Sequence, residues 1–330
     1  MGTTALELVN RVRRKRRDGS SAVVTDRQGV AYLDAINSSI TTILEEYSWE
    51  FQKRSDGRLN LIPSFTGLSA AVTAGSASFT ISDPGTAATS TVAGDFVTRL
   101  WLPSDSLYPN TSFRVLSSSI SGGVWSGQFD SPWTGDTGTG RTWRSFVYEY
   151  ALPATVRQVL SVISQETPVQ LEFEDGDYTF ERVCPRPQDY LGGPAERVMV
   201  GGEVRGTYQS TPSDYKLALK VYPVPTAEAV LDYSYIYRQQ RLVLATDELS
   251  RVPYAVEDLI VELSTAKVIT FSEKDPQLGM PMERSVLADV RRLHANYSAS
   301  PTARHTIKPL DRVRSAPNGL YWLPPTVEGL

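Results

Sequence analysis

The first fifty residues carry apolar side chains at the three- and four-residue spacing of amphipathic helices. Thr4 and Glu7 have the spacing of a capping box, in which the hydroxyl caps a helix and the carboxylate returns the hydrogen bond, so a first helix is predicted from there to about Arg17. A second stripe predicts a longer helix, and its members are Val30, Leu33, Ile36, Ile40, Ile43 or Leu44, Tyr47 and Phe51.

The same period returns near the other end of the chain. A third stripe comprises Val252, Val256, Leu259 or Ile260, Leu263, Ala266 and Ile269. Pro253 stands near its start, where a missing N–H costs no hydrogen bond. After a predicted break at 274–281, a fourth stripe comprises Val286, Val290, Leu293 and Tyr297. Two further helices are therefore predicted.

Between these ends, short alternating runs of apolar and polar residues predict strands. Residues 58–150 are rich in Ser, Thr, Gly and aromatic residues, and turn clusters separate the runs, which indicates a small β-barrel or sandwich. Four of the six tryptophans are expected to form its core, namely Trp101, Trp125, Trp133 and Trp143. Further strands are predicted over 151–240.

The predicted fold class is α+β. The N- and C-terminal helices are expected to pack as a four-helix bundle, because each helix stripe must be buried against another element. The β-rich middle, with its inserted small β-barrel or sandwich, is expected to be inserted in the chain between the second and third helices of that bundle. The predicted units are 1–57 (N-terminal helices), 58–146 (inserted β-rich domain), 147–240 (strand region), 241–300 (C-terminal helices) and 301–330 (extended tail).

Composition narrows the class of protein. The chain of 330 residues is 41% hydrophobic and carries a net charge of −4, so it lacks the surplus of Lys and Arg that a protein gripping duplex DNA needs. Cys184 is the only cysteine, which excludes an intrachain disulfide and argues against a thiolate zinc site. No apolar run reaches the ~20 residues of a membrane span. We expect no cofactor, no metal, and a protein of the cytoplasm or of a particle built there.

Few residues suit catalysis. The two histidines, His294 and His305, are expected on a helix surface and in the solvated tail. Gly135, Gly138 and Gly140 lack the Lys-Ser/Thr of a phosphate loop and indicate a hairpin turn. We therefore expect no catalytic residues and no enzyme activity.

One acidic cluster leaves an alternative open. Glu172, Glu174, Asp175 and Asp177 surround Gly176 without the regular ladder of a calcium loop, so a charged β-turn is expected. The same carboxylates have the residue types of a glycosidase acid and nucleophile, which leaves a hydrolase using Glu172 and Asp177 as a third hypothesis.

A basic run closes the first predicted helix. Six basic residues fall within seven positions, and the candidate contacts for DNA or an acidic partner are Arg13, Arg14, Lys15, Arg16 and Arg17. A solvated helix end is the competing interpretation, because cations favour the C-terminus of a helix.

The tail combines prolines, which forbid helix, with apolar anchors. The anchors predicted to bind a partner are Ile307, Leu310, Leu320, Tyr321, Trp322 and Leu323. The tail is expected either to wrap back on its own domain or to become ordered on another subunit or protein.

Several segments resemble the head–tail adaptor (head-to-tail connector) proteins of tailed bacteriophages. The segments are TALELVNRVRR at 4–14, ILEEYSWEF at 43–51, YALPATVRQV at 150–159, LALKVYPVP at 217–225, DYSYIYR at 232–238, and Val252-Pro253. The similarity covers about residues 4–57 and 147–300, and its strength lies in the order of short motifs. Residues 58–146 depart from the small adaptors, so the resemblance assigns them no role.

The resemblance implies a structural protein of the virion that assembles in the host cytoplasm. It implies a homo-oligomeric ring of twelve copies at the head–tail interface, docked on the portal protein above and on tail or nozzle proteins below, with double-stranded DNA passing non-specifically through its channel. The competing class is a β-rich carbohydrate-binding or tail-fibre attachment module that uses the tryptophans of 58–146.

Overall fold

The computed structural model describes residues 2–17, 25–85, 96–102, 112–166, 170–174, 182, 194–204, 207–208, 211–212, 216–272 and 274–298. Within this part of the chain, 41% of residues lie in strands and 33% in helices. The strands are β1 (Thr3–Thr4), β2 (Lys53–Leu61), β3 (Phe65–Val72), β4 (Ser78–Ser82), β5 (Phe96–Trp101), β6 (Ser112–Ser121), β7 (Val124–Phe129), β8 (Gly138–Ala151), β9 (Val156–Ser164), β10 (Glu172–Phe173), β11 (Arg197–Val204), β12 (Thr207–Tyr208), β13 (Thr211–Pro212), β14 (Lys216–Tyr222), β15 (Ala229–Tyr237) and β16 (Glu248–Leu249).

Six of these strands close into an antiparallel barrel. Their order is β3-β4-β7-β6-β5-β8, and β8 pairs with both β5 and β3 to complete the circle. Trp125, Trp133 and Trp143 lie buried among the side chains of the interior, whereas Trp101 is half-buried and packs outside it. Closure leaves the barrel without a free sheet edge.

The 14-residue strand β8 belongs to two sheets. Its first half pairs with β3, and its last three residues, 149–151, pair with β14, which continues to β11 and β10. The predicted boundary between 146 and 147 therefore falls inside one strand. A separate three-stranded sheet, β2-β15-β9, packs against this region through a shared core that includes Leu61, Val147 and Leu231. The hydroxyl of buried Tyr150 accepts a hydrogen bond from the N–H of Ile62 at 3.0 Å.

The helices lie at the two ends of the described chain. They are α1 (Ala5–Arg16), α2 (Arg27–Glu46), α3 (Tyr254–Lys267) and α4 (Pro276–Ser298), with a 3-10 turn at Glu50–Gln52 and a π-helical turn at Val268–Ser272. The capping box is confirmed, because the Thr4 hydroxyl accepts from the Glu7 N–H and the Glu7 carboxylate accepts from the Thr4 N–H. Strand β1 pairs with β16, which ties the start of α1 to the chain before α3.

The predicted α+β fold built on a four-helix bundle was wrong. The described chain is mostly β, and its terminal helices do not form a four-helix bundle. Helix α3 lies at the centre of the helices, because it packs against α1, α2 and α4. Helix α4 makes its extensive helix contacts with α3 and with the π-helical turn. The physical reason is that α3 buries residues around much of its circumference, among them Val256, Ile260, Val261, Leu263 and Ala266. A bundle helix would bury only one stripe.

Two predicted helix limits also need correction. The second helix ends at Glu46 instead of reaching Phe51, since Tyr47 is already extended and the Arg157 guanidinium donates to the carbonyls of Leu44, Glu45 and Tyr47. The predicted break at 274–281 is too long, because α4 begins at Pro276 and includes Pro281 in its second turn.

Candidate functional site

The basic end of α1 is partly built into the fold. The Arg13 side chain is only 2% exposed, and its Nη2 lies 3.1 Å from both carboxylate oxygens of Asp26. The same guanidinium stands 5.5 Å from the centre of the Tyr32 ring. Asp26 is the N-cap of α2 and also accepts from the Gly29 N–H. Arg13 therefore fixes the corner between α1 and α2 and is not exposed to a partner.

This corner is expected to lose stability in acid. The Gly29 N–H, and then the Arg13 guanidinium, hold the pKa of Asp26 below its ordinary value of 3.8. A carboxyl whose folded pKa is depressed stabilises the fold above its unfolded pKa, and that contribution is lost as pH falls through the folded pKa. In urea unfolding, the difference between wild type and Asp26→Asn should be largest above pH 3.8 and should shrink below it. Asp26→Ser, which also keeps a neutral cap, should behave as Asp26→Asn does. A difference from wild type that grows in acid would contradict this account.

The remaining basic residues divide into paired and exposed ones. Arg11 pairs with Glu257 at 3.2 Å and with Asp258, and Lys15 pairs with Glu262 at 2.8 Å, so one face of α1 is joined to α3 by charge. Arg14 and Arg17 are exposed, and within the described residues neither makes an ion pair. Arg16 is half-buried. Arg14 and Arg17 are therefore the residues of this run that remain candidates for contact with DNA or an acidic partner.

Most of the other predicted site residues lie outside the part of the chain that the structure describes. The tail anchors Ile307, Leu310, Leu320, Tyr321, Trp322 and Leu323, together with His305, lie outside the described residues. Of the acidic cluster, Glu174 pairs with Arg197 at 2.6 Å and Glu172 approaches the same guanidinium at 3.7 Å, while 175 and 177 lie outside the described part.

His294 is placed in an aromatic cluster, not on an open helix surface. Its ring centre lies 4.9 Å from that of Tyr47 and 5.1 Å from that of Trp49. Phe51 and Tyr297 also pack on Trp49, so the cluster joins the chain after α2 to α4. Sequence spacing placed Tyr47 and Phe51 on the second stripe and Tyr297 on the fourth, but it did not predict which residues of the two stripes meet.

Neither a metal-binding cluster nor a membrane-spanning helix is found among the described residues. No group of three or more His, Cys, Asp or Glu side chains is close enough there to hold a metal ion. None of the helices in this part has the length and apolar character required to cross a bilayer.

A polar groove of about 800 Å³ runs between α2 and the chain that follows β15. Asp34 and Arg241 form an ion pair across it, with 2.7 Å between the carboxylate and the guanidinium. The side-chain amide of Asn37 donates to the carbonyl of Leu242 and accepts from the N–H of the same residue. Lys267 stands at the other side of α2, bonded to Ser38 and Thr42, and burial lowers its pKa.

Two large aromatic side chains stand exposed at opposite ends of the central helix. Tyr254 begins α3 and is 71% exposed, whereas Phe271 lies in the π-helical turn after it and is 72% exposed. The 17 intervening steps place them roughly 25 Å apart at the rise of an α-helix. Phe271 borders a groove of about 300 Å³ whose floor includes Ala31 and Ala35 of α2. Neither residue lies on the predicted apolar stripes. An aromatic residue outside the stripe of its own helix is therefore the sequence signal that could have identified them.

A third exposed apolar feature is a rigid turn before β16. Val243 and Leu244 are 64% and 62% exposed. The Asp247 carboxylate accepts from both of their N–H groups, at 2.6 and 2.7 Å, and these bonds lower its pKa. The turn is pinned in addition by the N–H of Ala5, which donates to the carbonyl of Asp247. The fold thus presents these side chains in a fixed position.

No protein-family model matches the chain, and a search of curated proteins finds no significant match.

Proposed function

We propose that this protein is a structural head–tail adaptor of a tailed phage, forming a closed ring below the portal that joins capsid to tail and lets the genome pass. The observation that carries the proposal is the exposure of Tyr254 and Phe271 at opposite ends of one buried helix. Two different apolar surfaces on a rigid element suit a head-to-tail contact between copies, and such a contact closes into a ring when the rotation allows. The kind of assembly, a ring at the head–tail interface, is inferred from the resemblance of the ordered motifs in 4–57 and 147–300 to the phage adaptors.

The proposed partners follow from the same resemblance. They are the portal protein, the tail or nozzle proteins and further copies of the chain, in a ring of twelve. A net charge of −4 suits a channel wall that double-stranded DNA passes without sticking.

The contact can be tested by mixing two single variants. In a head-to-tail ring, Tyr254→Ser blocks one surface and Phe271→Ser blocks the other, so each variant alone should fail to form rings. An equimolar mixture should give one-to-one pairs, because each variant retains the surface that the other lacks. Native mass spectrometry of the purified chain, alone and with particles lacking tails, measures these species.

The matched control is Leu68→Ser, since Leu68 is 73% exposed but lies on the barrel. It should assemble as wild type does. Mixed variants that form no pairs would contradict the head-to-tail contact, and electron micrographs that place the protein only on distal fibres would contradict the adaptor function itself.

A separate prediction concerns the exposed end of α1. Arg14→Gln with Arg17→Gln should weaken assembly, and the loss should be larger at low ionic strength, because exposed charge contacts are screened by salt. Arg291→Gln with Arg292→Gln removes the same charge from exposed positions on α4 and serves as the control. The measurement is the midpoint of assembly over a salt series. If the two double variants behave alike, Arg14 and Arg17 form a solvated helix end and contact no partner.

The tryptophans bear on the competing carbohydrate-binding function. Trp125, Trp133 and Trp143 are at most 3% exposed inside the barrel. A sugar-binding platform would therefore have to use other side chains.

A further inference from the structure

The outer face of the barrel carries arginines on three neighbouring strands. Leu100, Phe113 and Trp143 point into the barrel core. Because side chains alternate along a strand, Arg99 of β5, Arg114 of β6 and Arg144 of β8 lie on the opposite, outer face. We call these three residues, with Trp101 of β5, the arginine face.

Two of the arginines oppose each other directly. Arg99 and Arg114 are cross-strand partners in the β5–β6 ladder, and both are half-buried. Like charges directly opposite in a sheet destabilise it. Among the described residues, no carboxylate forms an ion pair with either guanidinium, and Arg99 Nε is buried without a hydrogen-bond partner. The nearby Asp130 carboxylate accepts from the backbone N–H of Arg114 at 3.3 Å. The free protein thus holds an unfavourable pair that an external anion would relieve.

Aromatic rings hold the guanidinium groups in place. Arg99 stands 5.3 Å from the centre of the Tyr148 ring, and Arg144 stands 5.2 Å from that of Trp101, its cross-strand partner. Trp101 and Tyr148 in turn pack on the buried cluster of Phe146, Met199 and Val224. Planar guanidinium groups stacked on fixed rings lose little freedom when they bind an anion.

We propose that the arginine face is a docking site for a protein partner with a carboxylate-rich surface. Arg, Trp and Tyr are the residues that dominate binding energy at protein interfaces. The closed barrel offers no strand edge, so recognition through added strands is excluded for these six strands and side chains must carry it.

A nucleic-acid site fits this face less well. One face of the Trp101 ring is already covered by Arg144, which removes it as a platform for a base. The net charge of −4 also opposes general attraction to a polyphosphate. The proposal concerns residues 58–146, to which the resemblance assigns no role, and does not depend on ring formation.

The test uses the full chain, a labelled oligoglutamate peptide and a labelled DNA duplex, with binding followed by fluorescence anisotropy over a salt series. Arg99→Gln with Arg114→Gln is expected to weaken oligoglutamate binding about tenfold or more, the scale of one lost charged contact. Arg241→Gln with Arg292→Gln removes the same charge from exposed positions elsewhere and should leave binding unchanged.

A second measurement separates binding from folding. The thermal midpoint of Arg99→Gln alone should equal or exceed that of wild type, because the substitution relieves the like-charge pair. A lower midpoint would assign Arg99 a structural role and overturn the proposal. Equal losses in both double variants, or no oligoglutamate binding to wild type, would also overturn it. Tighter binding of the duplex than of oligoglutamate, lost in the same variant, would identify a nucleic-acid site instead.

Discussion

Trp49→Ala is expected to destabilise the helical part of the protein by about 3–5 kcal/mol, the usual cost of removing a fully buried indole. Trp49 is 1% exposed, and its indole N–H donates to the carbonyl of Ile43 at 2.9 Å. Its ring contacts Phe51 at 5.5 Å, His294 at 5.1 Å and Tyr297 at 5.9 Å between centres. The substitution therefore opens a cavity where the chain after α2 meets α4, and removes the indole N–H that donates to the Ile43 carbonyl.

Urea unfolding followed by far-UV circular dichroism measures this loss. Trp49→Phe keeps most of the ring contacts and removes the hydrogen bond, so it should cost less than the alanine variant. His294→Ala, which removes a half-buried ring from the same cluster, should also cost less. A loss below about 1 kcal/mol for Trp49→Ala would mean that the cluster does not join α2 to α4.

The presence of the helices could be predicted from sequence, but their arrangement could not. The capping box at Thr4 and Glu7 is local, and the structure confirms it. The end of α2 is set by Arg157, more than a hundred residues away, because its guanidinium satisfies the last carbonyls of the helix. No periodicity within 30–51 carries that information. The four-helix bundle failed for a related reason: a stripe shows that a helix is buried on one side, but not which helix becomes the centre.

The charged surfaces show the same limit. The basic run of α1 was visible as composition, whereas the pairing of Arg11 with Glu257, 246 positions away, depends on the tertiary fold. Likewise, Arg99 and Arg114 are unremarkable in sequence and become an unfavourable pair only through the register of β5 with β6. Sequence spacing finds charge clusters within one element, but not charges brought together by two.

Removing the chain after Ser300 is expected to leave the monomer near wild-type stability and to abolish the joining of heads to tails. The described helical core ends with α4 at Ser298, so the deletion leaves every contact among the described residues in place. The deleted segment carries Tyr321, Trp322 and Leu323 among prolines, whose fixed φ limits the entropy lost when the segment becomes ordered. Burial of each of these three side chains would contribute about 1.5–3 kcal/mol before ordering costs are subtracted.

A ring multiplies that contribution, because docking one tail raises the effective concentration of the next for its own site. Deletion after Leu323 supplies the matched control, since it shortens the tail but keeps every predicted anchor and should retain assembly. Replacing Tyr321, Trp322 and Leu323 by Ser in the full-length chain should reproduce the larger deletion. Thermal unfolding and the yield of tailed particles are the two measurements. If the chain cut after Ser300 unfolds at a lower temperature, the tail stabilises its own domain; if it assembles normally, the anchors do not dock.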